Sequence, residues 1–112
     1  SIMNDAYGDF VTAHTTGGLV CKTAGAGPLE VSVGFGHVPG LSVILTRLLD
    51  NGRNVPVKEA QWWLDNEEVR LLLIAPDAMR EEVRLRASRN GHVYDGSVWR
   101  SGRQRWVRCR EG

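Results

Sequence analysis

The most regular pattern in the chain is a stripe of aliphatic residues, Leu41, Ile44, Leu45, Leu48 and Leu49, spaced i, i+3, i+4, i+7 and i+8. On an α-helix this spacing puts all five on one side, and such a stripe must be covered by another apolar surface. Pro39-Gly40 precedes it and Asn51-Gly52 follows it, and a glycine just past the last turn ends a helix readily. A helix over residues 41–50 is therefore expected.

The segments before it read as sheet. Residues 7–16 are rich in aromatic and β-branched types, Gly17-Gly18 is a tight-turn signal, and Leu19–Thr23 fits a returning strand. After the break at Gly25-Ala26-Gly27-Pro28, Leu29–Phe35 alternates apolar residues with small or polar ones. The first 36 residues thus predict a three-stranded meander.

Pro56 can open a second helix with Ala60, Trp63 and Leu64 on its inner face. Adjacent residues on a helix point about 100° apart, so Trp63 is expected in the core and Trp62 at the surface. Val69–Ala75 could extend that helix or form a buried strand, and its length and the following Pro76 favour the strand. Asp77 as a cap and Met79, Val83 and Ala87 four apart predict a third helix over 77–89. Alternation of Val83, Leu85 and Ala87 with Arg84, Arg86 and Ser88 supports instead an edge strand with its arginines outward. His92–Arg100 and Gln104–Arg110 around Ser101-Gly102-Arg103 read as a hairpin that brings Trp99 near Trp106. The expectation is a single domain over 1–112 of α+β class, a mainly antiparallel sheet with two or three helices packed on one face.

Charge is distributed unevenly. Net charge is +1, yet residues 1–78 hold five basic and nine acidic groups, whereas residues 79–112 hold nine arginines and four acids. Two lysines, Lys22 and Lys58, complete the basic set. Arginine offers a planar five-donor fork suited to carboxylates, phosphates and aromatic faces. A contact surface is therefore sought in Trp62, Arg84, Arg86, Trp99, Arg100, Arg103, Arg105, Trp106 and Arg108. Tryptophan and arginine anchor protein interfaces, which suits a non-catalytic module binding a protein partner or its own copy as a homodimer. The same residues suit nucleic acid, although binding domains of that class carry more positive charge.

A third class, an enzyme or a binder of small anions, would use Gly34, Gly36 and His37 in the Gly34–Gly40 stretch, read as a strand-to-helix turn. Gly40 stands one place too late for a dinucleotide fingerprint. A Cys21–His14 pair is the one candidate nucleophile with a base, and no metal-ligand spacing occurs, so no metal or cofactor is expected. Two distant cysteines, Cys21 and Cys109, suit reduced thiols better than the dense bridging of small secreted domains. No apolar run approaches the roughly 20 residues of a membrane helix, and no basic-then-apolar leader is visible. A cytoplasmic protein without membrane contact is the expectation.

Overall fold

A computed structural model describes residues 14–38 and 41–112. Among these residues every regular element is a strand: β1 (His14–Lys22), β2 (Leu29–Val38), β3 (Leu41–Asp50), β4 (Arg53–Val55), β5 (Lys58–Leu64), β6 (Glu68–Ile74), β7 (Glu81–Asn90), β8 (Val93–Arg100) and β9 (Arg103–Glu111). They form one antiparallel sheet in the order β4-β3-β2-β1-β9-β8-β7-β6-β5. The sheet curls until its two ends approach each other, where Thr46 of β3 donates to the Glu59 carboxylate of β5 at 3.0 Å. No helix among the described residues is long and apolar enough to cross a membrane.

The expected α+β fold with helices on one face is thus corrected to an all-β one. The stripe that predicted a helix is β3. Ile44 and Leu48 share the concave face, opposite Phe35 and Val31, while Leu45 and Leu49 stand on the convex face opposite Gly34 and Glu30. Two pairs of adjacent aliphatics satisfy a period of 3.6 and a period of 2 equally well. Val43, Ile44 and Thr46 favour extended backbone. Asn51-Gly52, with φ of 53° and 82°, is the two-residue turn of a hairpin rather than a helix stop.

The helix expected from Pro56 is β5, so Trp62 and Trp63 lie on opposite faces of a strand. The segment expected as a helix at 77–89 becomes β7, with Val83, Leu85 and Ala87 buried and Arg84 and Arg86 exposed. It is not at an edge but lies between β6 and β8. Gly17-Gly18 is no turn either. β1 runs straight through, with a register shift between Thr15 and Gly17, and Gly17 takes φ 131° there. Of the strand expected at 7–16, residues 7–13 lie outside the described residues. β6 and the β8–β9 hairpin stand where the sequence predicts them.

The concave face is the core. Leu19, Cys21, Val31, Val33, Leu48, Leu71, Leu73, Val83, Leu85, Val98, Val107 and Cys109 are buried there, each from an alternate strand position. Topologically the sheet is two meanders, β1–β4 and β5–β9, joined by the β1–β9 ladder. That ladder has four residue pairs, Leu19–Lys22 against Glu111–Arg108. One of them is Cys21 opposite Cys109, and the two are joined in a disulfide, so the expectation of reduced thiols is corrected as well.

Further ties cross between the halves. Arg100 of β8 reaches Asp50 of β3 at 2.8 Å and Glu82 at 3.3 Å. Glu82 is the extra residue of a bulge opposite Leu73 and Ile74, which turns its side chain inward to 10% exposure. Arg105 of β9 donates to the carbonyls of Gly27 at 2.6 Å and Ala24 at 2.8 Å in the β1–β2 loop.

Two outcomes test this frame. A Cβ on Gly96 would overlap the Arg86 carbonyl oxygen and the Ala87 Cα of the adjoining strand. Gly96→Ala should therefore destabilise the fold by about 1–3 kcal/mol, read as a lower urea midpoint, while Ser97→Ala leaves it nearly unchanged. Replacing both Cys21 and Cys109 by alanine should cost roughly 2–5 kcal/mol in the same measurement, and the unreduced wild type should show no free thiol.

Candidate functional site

The convex side of β5–β9 is ordered by the strand register into rows. One row reads Trp63, Arg70, Arg86, Ser97 and Trp106 across β5, β6, β7, β8 and β9. The row beside it reads Gln61, Leu72, Arg84, Trp99 and Gln104. With neighbouring strands about 4.8 Å apart, each row spans roughly 19 Å. Trp99 and Trp106 are diagonal neighbours on this face, since Trp99 pairs with Gln104 and Ser97 with Trp106. Arg70, Arg84, Arg86, Trp63, Leu72 and Trp99 all border one open groove of about 490 Å³, and among the described residues no carboxylate borders it.

Trp63 is held at its edge and over its face. Its indole N–H donates to one Asp65 carboxylate oxygen at 2.9 Å, and the other oxygen accepts from the backbone N–H groups of Glu67 and Glu68 at 2.8 Å. These bonds, that of Glu68 first, then those of Glu67 and Trp63, hold the Asp65 carboxyl below the usual carboxylate range. The Arg70 guanidinium lies 5.5 Å from the Trp63 ring centroid and also pairs with Glu68 at 3.1 Å, a cation–π placement. Even so, Trp63 is 49% exposed, and Trp106 is 61% exposed. Arg84 is paired with Glu81 at 2.8 Å, and the hydrogen bond and charge of Glu81 raise its pKa. Arg86 has no carboxylate within ion-pair distance among the described residues.

The expected contact set therefore divides. Arg84, Arg86, Trp99 and Trp106 come together on the convex face. Arg108 stands in the next row, bound through two hydrogen bonds of 2.6 and 3.0 Å to Asp95. Those bonds, with a further one from Asn90, hold the Asp95 carboxyl down. Arg103 is exposed at the start of β9. Arg100 and Arg105 face the other way and serve the cross-ties already described.

Trp62 is on the concave side of β5, its ring 5.7 Å from that of Phe35, yet 50% exposed because the sheet ends there. Gly34, Gly36 and His37 occupy β2, which is paired on both sides. The segment after them is β3, so the strand-to-helix turn that would offer an anion site is absent, while Pro39 and Gly40 lie outside the described residues. Cys21 is bridged and is no nucleophile.

Trp63 and Arg70 belong to the face and were not among the expected contacts. Strand alternation pairing Gln61 with Trp63 and Arg70 with Leu72 would have found them, but the helical reading placed Trp63 inside. The chain matches no protein-family model, no curated protein and no solved structure.

The Asp65 turn gives a pH prediction. A carboxyl held down in the fold contributes stability that is complete above its unfolded value, about 3.9, and is lost as pH falls through the lower folded value. Trp63 emission should therefore be constant from pH 7 to about 5 and change on further acidification. Asp65→Asn should remove the part of that transition that precedes global unfolding.

Proposed function

We propose that the chain is a non-catalytic binding module that docks an acidic segment of a protein partner on the convex face of β5–β9. The observation that carries this is the row in which Trp63 and Trp106, 49% and 61% exposed, flank Arg86 and Arg70. Large aromatic surface held in place by hydrogen bonds and packing loses little freedom on binding, and a guanidinium without a carboxylate retains its full fork for a new one. Glu68, Glu81 and Asp95 already pair with Arg70, Arg84 and Arg108. They moderate the positive field, which favours a mixed acidic and apolar partner over a uniform polyanion.

One observation favours single-stranded nucleic acid as the second reading: Trp63 and Trp99 flank Arg70, Arg84 and Arg86 along a groove that, among the described residues, no carboxylate borders.

The exposed charges of the convex face, Arg84 and Arg86 among them, are the reverse of the apolar outer band that a lipid-embedded barrel presents. The buried Cys21–Cys109 bridge favours an oxidising compartment over the cytoplasm.

Panning of a displayed peptide library tests the proposal. Wild type should enrich peptides that mix Asp or Glu with apolar residues. Trp63→Ala, Arg86→Ala and Trp106→Ala should each weaken the selected peptide about tenfold, on the order of 1.4 kcal/mol. Enrichment without an acidic bias, or indifference to all three substitutions, would end the proposal. Tight binding of a single-stranded oligonucleotide that weakens steeply with salt would transfer the face to the second reading.

A further inference from the structure

We infer that the outer edge of β5 is a self-association site, where two copies of the chain pair their β5 strands antiparallel about a twofold axis. This concerns an edge of the sheet rather than its convex face and does not depend on the partner proposed above.

Among the described residues β5 ends the sheet, and its ladder is with β6. A bare edge presents unpaired N–H and C=O groups, and natural sheets protect such edges with charge, proline or bulges. The first half of β5 has all three devices. Pro56 stands just before it, Lys58 and Glu59 open it, Glu59 is tied to Thr46, and the register shifts at Ala60. The second half has none. Gln61, Trp62, Trp63 and Leu64 pair regularly with Leu72, Leu71, Arg70 and Val69, carry no charge, and include two half-exposed indoles on opposite faces. An unprotected stretch that displays tryptophan above and below its edge is built for another strand.

The occupant is a second copy because β5 complements itself. A twofold axis through Trp62 sets Trp62 opposite Trp62 of the other copy, both on the concave side. Gln61 then meets Trp63 on the convex side, and Ala60 meets Leu64. Opposed residues share a face, so concave continues into concave and convex into convex. The contact is isologous and closes at two copies. Beyond the regular stretch, Lys58 of each copy approaches the acidic Asp65–Glu67 turn of the other, which adds charge complementarity. The two arginine and tryptophan grooves then lie side by side across the axis.

Sedimentation equilibrium over a range of concentrations tests this. Wild type should approach twice the chain mass. Trp62→Lys on the concave side and Gln61→Lys on the convex side should each raise the dimer dissociation constant by about tenfold or more. Both should keep the wild-type circular dichroism and an intact Cys21–Cys109 bridge. Amide exchange at residues 61–64 should be slower at high protein concentration than at low. Arg86→Ala and Trp106→Ala should leave the dimer unchanged while weakening any ligand of the convex face, so the two ideas stand or fall separately. A wild type that keeps the chain mass at every concentration, or a dimer indifferent to both lysine substitutions, overturns the inference.

Discussion

The whole arrangement depends on the short ladder between the first and last described strands. β4 and β5, consecutive in sequence, share no ladder, so the two meanders form one sheet through β1 and β9. That junction has four residue pairs, and it closes a loop that takes in nearly the whole chain. Bringing such distant segments together costs entropy before any contact rewards it. The Cys21–Cys109 bond, spanning 88 positions, removes much of that cost from the unfolded state. It lies on the concave side, where both cysteines are buried, so the covalent tie also belongs to the core.

Arginines supply two further polar ties between the halves. Arg100 joins β8 to Asp50 on β3, and Arg105 holds the β1–β2 loop from β9. Arg100 is 16% exposed and sits between two carboxylates. Removing it would leave Asp50 without its cation and Glu82 with the exposed Arg80 alone, a larger penalty than the pair's own attraction suggests. Thus one arginine-rich segment serves two purposes, decided by strand parity. Arg100 and Arg105, in phase with Val98 and Val107, turn inward and bind the halves together, whereas Arg84, Arg86 and Arg108 are out of phase and face solvent; Arg103 is in phase but exposed where β9 begins.

That division could be read from sequence only once the elements were known to be strands. The C-terminal hairpin was legible because Ser101-Gly102 is a strong turn flanked by alternating residues, and β6 because an aliphatic run ends at Pro76. β3 was not. The pairs Ile44-Leu45 and Leu48-Leu49 fit a helical stripe and a two-sided strand alike, and the pairing that decides between them comes from β2, far from any local signal. Asn51-Gly52 is a helix stop or a hairpin turn according to what precedes it, so its reading depends on that of β3. Trp63 and Arg70 were then missed, because the helical period sent Trp63 to the core. The disulfide was hidden because it needs the β1–β9 register, which two isolated cysteines do not reveal.

The break between β4 and β5 explains why so much indole is left uncovered. Pro56 lies in the connection and has no N–H to donate, and the strand that resumes at Lys58 moves past β3 instead of pairing with it. Had β3 and β5 formed a ladder, the curled sheet would have closed, with Trp62 inside it and no edge beside Trp63. As built, the β1–β9 side is fixed by backbone bonds and a covalent bridge, whereas β5 meets β3 through Thr46–Glu59 and β2 through the tilted Phe35–Trp62 rings. Side-chain contacts of this kind yield more easily than a ladder. The compliant side of the sheet is therefore also the side that exposes Trp62 and Trp63, and a molecule binding at that edge meets a surface that can adjust without disturbing the seam that holds the fold.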